Sequence, residues 1–303
     1  MDDGVAIGVD VGGTKVALVL LDRGGAVLAE SRLENDAFAS TDDLLDAAGR
    51  EAAGLASTAP ASVAGVGVGI CELVGPDGEI GSSTTFAWTR ARLENAFSSI
   101  GPLTVDGDVY TAARAEATFG AATSYPTFGY VTIGTGISSA FVRDGEVWTG
   151  AHGAAQLLGS SNVTLPCPHC GQTVDLSLED VASGRGIVKR YERHGSADVR
   201  GAVDVIAAAD AGDETAAAII ADATRTLGSF LALFVNLFDP HALVIGGGLW
   251  AGSEGFRSRA IEAARSRIWA AAARDTPILV GALGGNAGAI GAAWSVLAGA
   301  RTG

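Results

Sequence analysis

The sequence predicts an α/β protein built as two similar lobes, and three observations carry that prediction. The chain has 303 residues, more than a single hydrophobic core commonly organises. Apolar runs of strand length alternate with longer helical segments along it. One short glycine hairpin also occurs twice, about one small domain apart. The first copy is Ile7-Gly8-Val9-Asp10-Val11-Gly12-Gly13-Thr14-Lys15, returning through Val16–Leu21 to a turn at Asp22-Arg23-Gly24-Gly25. The second is Tyr130-Val131-Thr132-Ile133-Gly134-Thr135-Gly136, returning through Phe141-Val142 to a turn at Asp144-Gly145. Glycines let a backbone turn sharply and bring its N–H groups close to an anion. Two such loops suggest two lobes gripping one polyphosphate, an arrangement suited to a nucleotide-dependent phosphotransferase.

The elements follow in order. After the first hairpin come a strand at about Ala26–Arg32 and a helix at about Thr41–Ser57, with Thr41 as its N-cap and acids in its first turn. Val63–Ile70 is an apolar run whose glycines suit a buried strand passing close to a ligand. Leu103-Thr104-Val105 forms a short strand delivering Asp106-Gly107-Asp108 to an alanine-rich helix at about Tyr110–Phe119. The lobe boundary is expected near Ala121–Pro126. The second hairpin leads into a loop-rich section, Gly150–Thr173, then helices at about Leu178–Ala182, Ala202–Ala209 and Glu214–Leu237. A strand at His241–Ile245 meets Gly246-Gly247-Gly248. A helix at about Phe256–Arg274, a strand at Ile278–Val280 and a helix at about Ala287–Leu297 complete the chain. The expected division is 1–121, completed by a C-terminal helix at 286–303, and 122–285.

A net charge of −14 repels phosphate backbones and anionic membranes, which argues against nucleic acid and membrane as partners. Lys15 and Lys189 are the only lysines. Lys15 reads either as a solvated strand end or as a cation beside nucleotide phosphates. Three cysteines, Cys71, Cys167 and Cys170, are an odd set that does not suit a disulfide scaffold. The most apolar stretch, about Thr226–Phe238, is too short to span a bilayer. With no signal-peptide pattern, a soluble, cytoplasmic setting is expected.

Four segments in order resemble the ROK family of sugar kinases and repressors. Asp10-Val11-Gly12-Gly13-Thr14-Lys15 is similar to its first phosphate motif and Gly134-Thr135-Gly136 to its second. Ile245-Gly246-Gly247-Gly248 resembles the adenosine-side strand and turn, and Leu178-Glu179-Asp180-Val181-Ala182-Ser183-Gly184 its Leu-Glu-x-x-Ala-Ser-Gly helix start. The resemblance covers nearly the whole chain. It implies an actin-like, ribonuclease-H-like α/β fold of two lobes, with ATP, Mg²⁺ and a sugar in the cleft between them, and a homodimer. Family repressors carry an extra N-terminal helix-turn-helix domain, for which this sequence leaves no room before its first strand.

The resemblance also implies roles for residues. Asp108 matches the aspartate of the family's Glu-Asn-Asp-Ala-Asn motif and would take the proton of the attacking hydroxyl as general base. Read without the family, it is an acid favoured at a helix N-terminus. Asp10 would hold Mg²⁺ or its water, or else bond its own turn. Gly12, Gly13 and Thr14, with Gly134, Thr135 and Gly136, would give donors to phosphate; Gly247 and Gly248 would leave space for the nucleoside. Neither a Walker phosphate loop nor a Rossmann glycine motif fits any stretch.

The departures lie on the substrate side, assigned to Gly69, Gly107, Asp108, Leu157, Ser160 and Glu179. Gly107 stands where the family has asparagine, and Tyr110 replaces another. The family's Gly-Glu-Ile-Gly-His element corresponds to Gln156-Leu157-Leu158-Gly159-Ser160, so a sugar-binding glutamate has become Leu157 and a histidine Ser160. Glu179 is left to accept bonds from a substrate hydroxyl. An apolar wall in place of a carboxylate suits a modified sugar, an aminosugar or a cyclitol better than plain glucose. The family's zinc element is degraded: Cys167-Pro168-His169-Cys170-Gly171 remains, but the last cysteine is missing, and structural zinc wants four ligands. A metal-free loop is expected.

The leading expectation is therefore an ATP-dependent kinase acting on a hydroxyl of a sugar or sugar-like polyol. The alternatives are a catalytically silent sugar-binding regulator and an ordinary glucokinase. A chaperone-like ATPase would need a peptide-binding domain for which no residues are left over.

Overall fold

The structure, a computed structural model, describes residues 4–166, 171–193 and 199–299. The chain runs through β1 (Val5–Val11), β2 (Lys15–Asp22), β3 (Val27–Glu34), α1 (Thr41–Ser57), β4 (Val63–Ile70), α2 (Arg90–Phe97), β5 (Leu103–Gly107) and α3 (Asp108–Phe119). It continues with β6 (Thr127–Ile133), β7 (Ile137–Arg143), β8 (Glu146–Val147), β9 (Asn162–Pro166), β10 (Thr173–Ser177), α4 (Leu178–Ala182), α5 (Gly184–Glu192), α6 (Ala202–Asp210) and α7 (Glu214–Phe238). Last come β11 (Ala242–Gly246), α8 (Gly248–Gly252), α9 (Glu254–Arg265), β12 (Ile278–Val280) and α10 (Ala287–Gly299). These elements form two compact units, one of residues 1–124, 140–155 and 285–303, the other of 125–139 and 156–284. The division falls inside β7.

The first unit is built on a sheet ordered β3-β2-β1-β4-β5. β1 and β2 pair antiparallel, and β1, β4 and β5 run parallel. Covered parallel strands read as continuous apolar runs. β1 and β4 do so because α1 packs on β1 and β2, while α10 lies against β1, β4 and α3. Leu44, Leu45, Ala48 and Ala52 of α1 join Ile7, Leu18, Leu20, Val66 and Val68 in the core. β3, at the edge, alternates half-buried and exposed residues.

Two of the three glycines of β4 have a packing cause beside the ligand approach read in the sequence. A Cβ at Gly67 would collide with the backbone of Ala292 in α10, and one at Gly65 would stand 2.5 Å from the carbonyl of Pro102. Gly69 faces the start of α3; its Cβ would lie 2.6 Å from Thr111 Oγ1 and 3.3 Å from Asp108 Cα. Gly67 is thus a helix-packing position, and Gly65 makes room for the Pro102 carbonyl. Gly8 on β1 likewise meets Ala289 of α10.

The second sheet is ordered β12-β11-β6-β7-β8, with β11 parallel to both β6 and β12. In the second unit α7 packs against α4, α5, α6 and α9. At 25 residues α7 outruns the short apolar stretch expected, and by length and composition alone it could cross a membrane. Its buried residues, among them Ile219, Ile220, Leu227, Leu231 and Val235, are core. It ends where Asp239 adopts a left-handed φ of 44° ahead of Pro240.

Several boundaries shift. The N-cap of α1 is Ser40, whose hydroxyl accepts from Asp43 N at 3.1 Å, rather than Thr41. α3 begins at Asp108, two residues before the expected start. α9 stops at Arg265 instead of running to Arg274. The loop-rich section contains β9, which pairs antiparallel with β10.

Candidate active site

In the first unit, β1 carries Asp10 one residue before its end, in register with Ala17 of β2 and Gly69 of β4. The following turn exposes Gly13 and Thr14, and open space lies where a Gly13 side chain would stand. It is held by Gly12 N donating to the Lys15 carbonyl at 3.0 Å and by Asn35 Nδ2 donating to the Gly12 carbonyl at 3.0 Å. Such a turn offers amides to an anion without losing its shape.

Asp108 is the first residue of α3, with Gly107 as N-cap. Val109 N donates to its Oδ1 at 2.7 Å, and the helix N-terminus favours a negative group there. Gly69 lies between the two aspartates: paired with Asp10 across the strands, and touching Asp108 through the space a Cβ would need. The consequence is electrostatic. Burial, followed by the charge of Asp108, pushes the Asp10 carboxyl up to about 7, against a smaller opposing effect of Lys15. The Asp10 carboxylate also lies so close to Gly288 of α10 that any side chain there would strike it.

A feature missed in the sequence stands beside this pair. Glu72, two residues past β4, is 6% exposed. Its Oε2 accepts from the Ser82 hydroxyl, from Thr84 N at 2.9 Å and from Thr84 Oγ1 at 3.0 Å; its Oε1 accepts from Thr85 N at 2.5 Å and Phe86 N at 2.9 Å. Burial works against its charge, but these donors outweigh it and hold the carboxyl below its ordinary value. Glu72 thus clamps the segment Ser82–Phe86 to the end of β4. Next to it, burial and then the charges of Asp108 and Glu72 push the Cys71 thiol up to about 12, leaving it neutral and inert. An acid placed straight after an apolar strand, with a Ser/Thr cluster ten residues on, was the available signal.

Tyr110, in place of the family asparagine, is buried, and its hydroxyl donates toward the carbonyls of Gly153 at 3.3 Å and Ala155 at 3.2 Å. It therefore anchors the segment leading into Gln156. Gly107 is buried, and its N–H donates to Asp106 Oδ1 at 2.8 Å.

In the second unit, Gly134-Thr135-Gly136 forms the turn between β6 and β7, closed by Gly134 N donating to the Gly136 carbonyl at 3.0 Å. Its outer carbonyls are bound: Gly184 N donates to Gly134 O at 2.8 Å and Arg185 N to Thr135 O at 3.3 Å. The structure brings Gly247 and Gly248 to this turn, with a Gly134 Cβ position 3.5 Å from Gly248 N. Gly247 has φ of 92°, and a side chain there would strike the Ile133 backbone, so glycine is required on both counts. Glu179 is engaged at both oxygens: Oε2 accepts from Ile137 N at 2.9 Å and Oε1 from Arg185 at 2.8 Å. It braces the turn, and each oxygen keeps a further lone pair. Leu157 is 48% exposed and Ser160 is exposed, either side of a short 3-10 turn.

Cys167, His169 and Cys170 lie outside the described residues, and among the described residues no group of three or more potential ligands is placed to hold a metal.

The ROK family matches residues 6–298. A glucokinase of Halalkalibacterium halodurans is 27% identical over 98% of this chain and 96% of its own length. An N-acetyl-D-glucosamine kinase of Shigella flexneri is 29% identical over 80% of this chain and 83% of its own. The structure of a ROK family glucokinase from Streptomyces griseus, in complex with glucose and AMPPNP, superposes with a TM-score of 0.81 at 26% identity, covering 99% of this chain and 100% of that one. With that match across nearly its whole length, and with the α/β actin-like ATPase fold of the sugar kinases it resembles, the chain belongs to the ROK family.

Proposed function

We propose that the chain is an ATP-dependent kinase that phosphorylates a hydroxyl of a sugar, with Asp108 as general base. The observation that supports this reading best is the placement of Asp108 at the N-terminus of α3, one glycine away from Asp10 across the strand register. Asp108 would accept the proton of the attacking hydroxyl and hold its oxygen in line with the phosphoryl group. The exposed Gly13 and Thr14 would give N–H and hydroxyl donors to the phosphates, with Gly12 closing the turn and Lys15 adding positive charge. In the second unit Thr135 and Gly136 would do the same, with Gly134 closing the turn, and Gly247 and Gly248 would leave room for the nucleoside.

Mg²⁺ suits the residues present. Asp10 presents hard oxygen donors, and its carboxyl, held near neutral by burial and Asp108, is one a divalent cation would readily ionise. Bound there, the ion would offset phosphate charge during transfer. The chain's own residues orient the acceptor and move the proton.

On the acceptor side, Leu157 and Ser160 favour a modified sugar, aminosugar or cyclitol over plain glucose, since an exposed leucine offers a hydroxyl no partner. The same two residues carry the second reading, a sugar-binding regulator without turnover. A coupled ADP-release assay with Mg-ATP separates the readings. The panel is glucose, N-acetylglucosamine, N-acetylmannosamine, 3-amino-3-deoxyglucose and C7-cyclitols. Acceptor-dependent ADP release with one strong responder is the expected result. Sugar binding without ADP release would establish the regulator instead.

A further inference from the structure

Gln156 combines two costs, one in its backbone and one in its side chain. Its φ is +59°, a left-handed conformation found at three non-glycine residues among those described; the other two are Asp144 and Asp239, of a type that tolerates it. Its carboxamide is buried, and neither Oε1 nor Nε2 has a hydrogen-bond partner among the described residues. Four other described residues leave one buried side-chain atom unpaired; only Gln156 leaves both a donor and an acceptor.

The backbone holds this conformation firmly. The Gln156 carbonyl accepts from Ser139 Oγ at 2.6 Å and from Leu158 N at 2.6 Å, while Tyr110 fixes the preceding residue's carbonyl. The family resemblance places glycine here, which would adopt this φ without strain and bury no amide. A strained residue with an unpaired buried polar group, kept in place by its surroundings, is the pattern of a binding position. Next to it Leu157 leaves an apolar side chain 48% exposed.

We infer that Gln156 is a specificity-determining residue for the acceptor, and that the acceptor class it selects is an N-acylated amino sugar. This inference rests on the proposed kinase reading. The amide of an N-acyl group offers one donor and one acceptor, which a carboxamide returns in kind, and its methyl covers Leu157. To meet the ligand, the Gln156 side chain would turn about its own bonds while the backbone stays fixed. A plain hydroxyl at the same carbon satisfies the carboxamide less fully and leaves the leucine wet.

The test uses the full chain and two variants. Gln156→Gly removes both the backbone strain and the amide; Gln156→Met keeps length and φ but removes the amide. Melting temperature, kcat/KM for glucose, N-acetylglucosamine and N-acetylmannosamine, KM for ATP, and sugar-induced melting shifts without ATP are measured. Both variants are expected to melt above the wild type, because each removes a buried unpaired amide. The wild type should prefer an N-acetylated acceptor to glucose, and both variants should lose about tenfold or more in kcat/KM on it, the effect of about one hydrogen bond's worth of discrimination. The loss on glucose should be several-fold smaller than the loss on the N-acetylated acceptor, and KM for ATP should stay unchanged. A local strain without a binding role predicts the rise in melting temperature and no change in acceptor preference. The inference is overturned if the N-acetyl preference is absent from the wild type or survives in Gln156→Met. Wild-type turnover with either of those results leaves the kinase reading standing. Conversely, N-acetyl sugar melting shifts that vanish in both variants, with no turnover in any protein, sink the kinase reading and with it Gln156 as selector of a phosphoryl acceptor, leaving a sugar-binding residue of a regulator. If no sugar reacts or shifts the melting curve, both fall.

Discussion

Asp10 and Asp108 face each other's charge across Gly69: after burial, Asp108 is the largest cause of the rise of the Asp10 carboxyl from 3.8 to about 7. An acid whose pKa is raised by folding destabilises the native state once it ionises. The unfolded chain gives up this proton near 3.8 and the native one near 7, so this contribution erodes stability as pH rises through that window and is fully lost above it. Asp10→Asn removes the ionisation. In metal-free buffer it should be more stable than wild type at pH 8, by up to a few kcal/mol, and indistinguishable at pH 3.5. Urea titrations at the two pH values check this. An equal difference at both would show that Asp10 does not titrate as described.

Asp108→Asn retains shape and most hydrogen bonding but cannot take a proton. Acceptor-dependent ADP release should fall by about 10²-fold or more, with sugar-induced and nucleotide-induced melting shifts retained. Near wild-type turnover on the best acceptor would remove Asp108 from the role of base.

Legibility of the fold followed from how strongly each segment's chemistry constrains it. The two hairpins, β11 and α7 were readable because apolar runs and glycine or Asp-Pro breaks coincide there. α2 was not, since only Leu93 and Phe97 of its eight residues are buried and no periodicity accumulates. β9 and β10 expose most of their side chains and sit among glycines and prolines, so their mutual pairing has no apolar signature. Alanines at 270–273 look like a continuation of α9, yet the chain leaves that helix at Arg265, exposes Trp269 to 88% and gives Ala271–Ala273 only a short 3-10 turn.

In the candidate site, the residues carried by glycine turns and by the strand-to-helix junction were readable because backbone shape demands particular residue types. Glu72 was not, because its partners Ser82, Thr84, Thr85 and Phe86 come from a loop whose return to β4 depends on tertiary structure. For the same reason the sequence could show that Glu179 was present but not that Ile137 and Arg185 occupy its oxygens.

The Glu72 clamp predicts a stability effect with a pH signature. Glu72→Ala leaves the amides of Thr84, Thr85 and Phe86 without their acceptor and should cost about 2–4 kcal/mol. The folded-state pKa of Glu72 lies below its ordinary value, so its contribution is present above the unfolded value and is lost as pH falls through the folded one. Chemical denaturation of the pair at pH 7 and pH 3 should therefore show a difference that shrinks at the acid end. A difference that grows on acidification would mean that the neutral acid is the form the loop prefers.

Two glycines separate the packing account of β4 from general helix and strand propensities. A Cβ at Gly67 would enter the backbone of Ala292, and since Ala292 lies within α10 neither partner can yield without moving a whole element. Gly67→Ala should therefore cost about 3 kcal/mol or more, at the upper end of what overpacking does. Gly54 is exposed in the interior of α1 with open space around it, so Gly54→Ala should stabilise by about 0.5–1 kcal/mol through helix propensity alone. Thermal and denaturant melts of the two single variants give opposite signs if α10 rests on β4 through Gly67. A mild effect at Gly67 would mean that the helix stands further from the strand than described, and that the glycines of this run serve some purpose other than packing.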